Sequence, residues 1–188
     1  MPVMPTDQTA PAELELVREF VNTLDIEEGT DALASPPEAR GWLSAHALAD
    51  SGEPITEEDR RRLVDVREAL RDLLLANNLG DVPPAEAIDV LNEQSAEAAV
   101  VLRFGADGAG LVTSCGGVDS ALARLLAIVY GSMNDRTWLR LKSCPAEDCR
   151  WAFYDHSRNH SGTWCEMGKC GNRAKARRYR EGHRDSDE

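Results

Sequence analysis

A chain of 188 residues with 42% hydrophobic side chains can build one core of ordinary size, with room for a small appendage. Its net charge of −12 argues, over the chain as a whole, against a general nucleic-acid binder. No apolar run approaches the length of a membrane span, and Met1 to Pro11 lacks the basic and apolar regions of a signal peptide, so the expectation is a cytoplasmic protein with no membrane partner.

The N-terminal part reads as mainly helical. Leu14, Val17, Val21 and Leu24 recur at helical spacing between Pro11 and Gly29. A second helix is expected from Pro37 to Ala49, carrying Trp42, Leu43 and His46 on neighbouring turns. Thr56-Glu57-Glu58-Asp59 has the pattern of an N-cap followed by first-turn acids, and the helix it opens turns Leu63, Val66, Leu70, Leu73 and Leu74 inward. Asn77-Asn78-Leu79-Gly80 reads as its stop, and Pro83-Pro84 starts another helix running to Glu97. Ala99 to Phe104 and Leu111 to Ser114 predict two short strands of a hairpin around a glycine-rich loop. Val118 to Ser132 is a strongly apolar helix. Beyond it, a short strand is expected at Trp138 to Leu141, a second near Trp151 to Tyr154, and a helix from Gly171 to Arg180. The fold class is therefore α+β: a mainly helical N-terminal domain with a short β-hairpin, residues 11–135, followed by a small four-cysteine domain, residues 136–184. Gly131 to Asp135 is the best boundary between them.

Four of the five cysteines lie in that second part. Cys144 and Cys149 form one C-x4-C knuckle, Cys165 and Cys170 another, fifteen residues apart. Two such knuckles can present four thiolates to one tetrahedral Zn²⁺, which closes a structural site and leaves no open position for catalysis. In a reducing compartment paired cysteines favour metal over disulfides. His156, His160 and His183 are spare donors that a four-sulfur site does not need. Cys115, beside Gly116 and Gly117, reads as an inert thiol.

Charge divides the chain at the same place. Residues 1–135 carry 9 basic and 25 acidic side chains, whereas residues 136–184 carry 12 basic and 5 acidic. The positive charge is thus concentrated on the cysteine segment, which implies an anionic partner for it or docking on its acidic neighbour. From Arg173 onward the expected helix places Arg173, Arg177 and Arg180 on one stripe, with Lys175 and Arg178 close by. Arginine forks suit phosphates and guanine edges.

Cys144-x4-Cys149-x3-Phe153-Tyr154-Asp155-x-Ser157-Arg158-Asn159, followed by Trp164-Cys165-x4-Cys170-Gly171-Asn172-Arg173-x-Lys175, closely resembles the CGNR zinc finger. The first part is similar to the ABATE domain, on Phe20-Val21-Asn22-Thr23-Leu24, on Trp42-Leu43, and on Leu63-x2-Val66-Arg67-Glu68-Ala69-Leu70-Arg71. Proteins of this kind are described as stress-induced transcription regulators. The resemblance implies DNA binding by the finger and sensing of a ligand or protein partner by the first domain.

The candidate nucleic-acid contacts are Arg158, Asn172, Arg173, Lys175, Arg177, Arg178 and Arg180, with double-stranded DNA as the expected partner. Asn172 and Asn159 could equally cap local turns. Trp151, Phe153 and Trp164 are expected to form the finger's small core, with base stacking as the alternative. Asp155 is expected to pair with Arg158 or Arg173. In the first domain Asn22, Thr23 and Arg67 are polar residues within apolar runs; they either satisfy one another or face a ligand pocket. His46 is the only histidine before residue 156, and no phosphate loop or nucleophile–base constellation accompanies it, so no enzyme is expected. The alternative function is an RNA-binding or protein-interaction module with zinc as a staple. No coiled-coil heptads occur, so any homodimer would use the first domain.

Overall fold

The structure is a computed structural model that describes residues 8–49, 54–106 and 108–184, the last four of these as backbone only. Its elements follow from local sequence chemistry. Helix α1 (Leu14–Val21) buries Leu14, Val17, Phe20 and Val21 along one stripe. The expected continuation to Leu24 is not helical: Asn22 ends the helix, and Leu24 pairs with Asp31 in a minimal ribbon of β1 (Leu24–Asp25) and β2 (Thr30–Asp31). Helix α2 (Pro36–Ala45) begins one residue earlier than expected because Ser35 caps it, and it stops short of Ala49 because Ala47 takes a left-handed φ of 51°.

Helix α3 (Glu57–Leu79) is the spine of the molecule. Thr56 Oγ1 accepts from the Asp59 N–H at 3.1 Å while the Asp59 carboxylate accepts from the Thr56 N–H at 2.9 Å, the reciprocal cap expected from the sequence. Leu63, Val66, Leu70, Leu73 and Leu74 all turn inward, and Gly80 closes the helix at a φ of 72° that favours glycine. Helix α4 (Ala85–Glu97) follows Pro84. The hairpin of β3 (Val101–Gly105) and β4 (Gly108–Val112) is tighter than expected, because Gly105 pairs directly with Gly108. Helix α5 (Gly117–Asn134) is mostly apolar and packs against α1, α4 and β4.

After α5, Trp138–Arg140 forms a single 3₁₀ turn where a strand was expected, and the strand β5 (Leu141–Ser143) starts at its end. It pairs antiparallel with β6 (Ala152–Tyr154), Leu141 opposite Tyr154 and Ser143 opposite Ala152. A π turn at Met167–Gly171 leads into α6 (Asn172–Arg184).

One buried cluster runs through both sequence regions: Leu70, Leu73, Leu74 and Leu125 share a core with Trp138, Leu141, Ala152 and Tyr154. The β5–β6 ribbon is entirely buried. It lies on α3, with α1 beside β6. No described helix is long and apolar enough to cross a membrane.

Candidate metal centre

The first knuckle joins β5 to β6, and the second comes after the loop that follows β6. The Cys144 N–H bonds to the Trp151 carbonyl at 2.9 Å, which continues the β5–β6 pairing into the first knuckle. Within it the N–H groups of Cys149 and Arg150 both reach the Ala146 carbonyl, and Arg150 adopts a left-handed φ of 54° to leave the turn. The second knuckle turns through Gly171, whose N–H returns to the Glu166 carbonyl. A Cβ at Gly171 would displace the exposed Met167 side chain and lie 3.3 Å from the Trp164 ring, so glycine keeps this turn close to the tryptophan.

The sulfurs of Cys144, Cys149, Cys165 and Cys170 all lie within 4.8 Å of one another. Cys149 and Cys165 approach to 3.5 Å, and Cys165 and Cys170 to 3.7 Å. A tetrahedral ion with Zn–S bonds of ~2.3 Å requires sulfur–sulfur edges of ~3.8 Å, so the donor set matches one Zn²⁺. The protonated site is internally opposed. Hydrogen bonds from Cys149 and Cys165 pull the Cys144 thiol down, while the same contacts push Cys149 and Cys165 up. A divalent cation removes that conflict by taking all four as thiolates. With four sulfur ligands the ion has no position for water or substrate, so its contribution is structural. Trp151 and Trp164 pack against the sulfurs as expected; Phe153, expected beside them, is buried but is not part of this cluster. Among the described residues no histidine joins the cluster; the His183 side chain is outside them. Cys115 is half-buried and lies outside the cluster.

A buried ion pair braces the loop between the knuckles. Lys142 Nζ lies 2.7 Å from Asp155 Oδ2 and donates to the carbonyls of His160 at 2.7 Å and Gly162 at 2.9 Å. Asp155 also accepts from the N–H groups of Ser157 and Gly162. Burial pushes the Asp155 carboxyl up, but the bonds from Lys142 and Ser157 outweigh it and hold the group at about 2. The expected pairing of Asp155 with Arg158 or Arg173 is thus replaced. Lys142 reaches it across the β5–β6 ribbon, a proximity set by strand register that sequence distance did not show.

A set of side chains from the first domain seats the finger. Asn22 Nδ2 donates to the Ala152 carbonyl at 2.9 Å and its Oδ1 accepts from the Ala152 N–H at 2.7 Å, in the manner of one more strand residue against β6. Arg71 bridges the Val21 carbonyl at 2.7 Å to the Arg150 carbonyl at 2.9 Å. Asn77 donates to the carbonyls of Trp138 and Leu141, and Asn78 to those of Ser143 and Thr163. Gln8 donates to the Cys165 carbonyl. The adjacent Asn77 and Asn78, which read as part of a helix stop, lie in the last turn of α3 and reach across this seam.

The other candidates fall as follows. Thr23 and Arg67 come together at 3.2 Å, and Arg67 is also paired with Asp31 at 2.6 Å and with Glu68 at 2.8 Å. Asn22 is not among its partners, so the expected Asn22–Arg67 pair is replaced by Asn22–Ala152 and Arg67–Asp31. His46 stacks on Trp42 with ring centroids 4.0 Å apart and bonds the Trp42 carbonyl. On α6, Asn172 bonds back to the Gly168 carbonyl at 3.0 Å, and Arg180 to that of Ala176 at 3.2 Å. Arg173 turns toward the metal centre, with Nη2 3.1 Å from Cys170 Sγ. Arg158, Lys175, Arg177 and Arg178 are exposed.

A helical domain fused through a shared core to a four-cysteine structural zinc site defines the class of protein. Residues 140–183 match the family model of the CGNR zinc finger, and residues 14–132 match ABATE, whose description is "Putative stress-induced transcription regulator". The chain belongs to this ABATE family with a CGNR zinc finger, families of regulator and zinc-finger type rather than enzymes. A comparison with curated proteins finds no match.

Proposed function

We propose that the protein is a cytoplasmic DNA-binding transcription regulator. In this reading residues 136–184 contact double-stranded DNA through α6, and residues 11–135 sense a ligand or protein partner. The observation that carries it is the charge state of α6. Among the described residues, Lys175, Arg177 and Arg178 form no hydrogen bond or ion pair with the protein, although residues 1–135 offer 25 acidic side chains. No acid of the described body neutralises these cations, which leaves them to an external polyanion in this reading. Arg158, on the loop between the knuckles, is exposed in the same way. The family's description supports the regulatory part of the reading. Asn22, Thr23 and Arg67 already have protein partners, so sensing is assigned to the first domain as a whole and to no particular pocket in it.

The test is titration of zinc-loaded full-length protein with labelled duplex DNA, selected from random sequence, at several salt concentrations. Four phosphate contacts from Arg158, Lys175, Arg177 and Arg178 give a slope of log K against log salt of about −3.6. The Arg177→Glu/Arg178→Glu variant is expected to abolish selection and to lower that slope by about 2. Selection of no sequence, or unchanged binding by the variant, would overturn the reading; retention of structured RNA in its place would assign α6 to RNA.

A further inference from the structure

Arg173 stands in the first turn of α6, three residues after the last sulfur ligand. Its Nη2 lies 3.1 Å from Cys170 Sγ. Its Nη1 lies 3.0 Å from Glu27 Oε1 and 3.5 Å from Asp148 Oδ2. Cys170 belongs to the second knuckle, Asp148 to the first, and Glu27 to the turn between β1 and β2 in the other domain. One guanidinium therefore joins three anions from three separate stretches of chain. This sets it apart from Lys175, Arg177 and Arg178 on the same helix, which pair with no acid among the described residues.

The chemistry of the metal centre gives that contact a purpose. Zn²⁺ with four thiolates carries a net charge of −2, and a cation donating to one sulfur offsets part of it. Groups bonded to a metal's ligands orient them and adjust their donor strength. The planar fork of arginine can address the sulfur with one nitrogen and the carboxylates with the other, whereas a lysine ammonium is a single point. Glu27 hangs from a turn whose far strand holds Asp31, the partner of Arg67. The same turn is therefore anchored at one end in the core of the first domain and at the other on the finger.

We propose that Arg173 is a positioning residue of the metal centre that joins the Cys170 thiolate to Glu27, so that metal affinity and the seating of the finger on the first domain depend on each other. The inference rests on the four-sulfur site and is independent of which polyanion α6 binds. It removes Arg173 from the nucleic-acid contacts.

The test is Zn²⁺ affinity of the full-length chain, by competition with a chromogenic chelator, for wild type, Glu27→Gln, Arg173→Lys, Arg173→Ala and the Glu27→Gln/Arg173→Lys double variant. The thiolate-to-metal absorption of the Co²⁺-loaded proteins reports whether four-sulfur coordination is intact. Arg173→Ala is expected to weaken Zn²⁺ binding about tenfold or more, and Arg173→Lys by less. Glu27→Gln, more than a hundred residues from any ligand in sequence, is expected to weaken it severalfold on its own and not at all in the Arg173→Lys background. Wild-type Zn²⁺ affinity in Arg173→Ala, or strictly additive effects of Glu27→Gln and Arg173→Lys, would overturn the proposal. If Arg173→Ala gives no Co²⁺ spectrum, the cycle through Arg173→Lys decides alone, because that variant keeps the charge and the helix.

Discussion

Replacing Asn22 with alanine is the most direct probe of how the finger is mounted. The side chain makes two hydrogen bonds, at 2.9 and 2.7 Å, to both backbone groups of Ala152, a residue with 0% exposure. Two such bonds contribute about 1 kcal/mol each, and leaving a buried N–H and C=O unpaired adds about 1–3 kcal/mol per group where water cannot enter. Partial relaxation brings the expected loss to about 2–4 kcal/mol. The assay is urea unfolding at fixed free zinc, followed by the fluorescence of Trp138 and Trp151, which flank the affected ribbon. Asn22→Asp is expected to be as damaging, because it keeps the acceptor but sets a carboxylate against the Ala152 carbonyl. A change below about 0.5 kcal/mol for Asn22→Ala would refute the reasoning and return this side chain to a ligand-facing role.

Other consequences follow from the buried groups around the metal. Lys142→Met strands the Asp155 carboxylate in a site where it is 4% exposed and is expected to cost about 3–5 kcal/mol in urea unfolding. Asp155→Asn is expected to cost at least about 2 kcal/mol, from the drop of the carboxyl from 3.8 to about 2. A depressed carboxyl stabilises fully above its unfolded value and loses that contribution only as pH falls through the folded one. The difference between Asp155→Asn and wild type should therefore stay constant from pH 8 to pH 5; a difference that grows or shrinks across this range would assign the effect elsewhere. Gly162→Ala brings a Cβ to 2.7 Å from Asp155 Oδ1, and with that carboxylate pinned by Lys142 the expected cost is about 1–3 kcal/mol. Chelating the zinc should raise amide exchange not only in the finger but also in α1 and the C-terminal half of α3, since Leu141, Ala152 and Tyr154 share their core. Protection in those helices that survives chelation would show that the first domain stands without the finger.

Much of the local structure was legible from residue order alone. The Thr56–Asp59 cap, the Gly80 stop, the inward face of α3 and the apolar run of α5 are decided by groups within four residues of one another. The errors arose where a contact distant in sequence overrides local pattern. Leu24 continues the helical period of α1 but is taken by Asp31 into a ribbon, and Trp138 reads as strand but turns because its ring is wanted in the core beside α3. Arg67, Asn22 and Asp155 were each recognised as polar groups in need of a partner, and each takes one the sequence did not suggest: Asp31 for Arg67, beside the expected Thr23, the Ala152 backbone for Asn22, and Lys142 for Asp155.

The metal centre shows the same division. Two C-x4-C knuckles suffice to specify a four-sulfur zinc site, since a knuckle places its own two thiolates and the ion's chemistry demands four. The segregation of basic residues into the last quarter is likewise a property of the chain. Which of those cations remain free was decided only by the fold. Arg173 and Arg177 stand one helical turn apart and look equivalent in the sequence, yet the docking of α6 behind the knuckles brings Cys170 and Glu27 to the first, while the second pairs with no acid among the described residues. A residue's chemistry is written in its type, but its partner is set by packing between segments more than a hundred residues apart, as for Glu27 and Arg173.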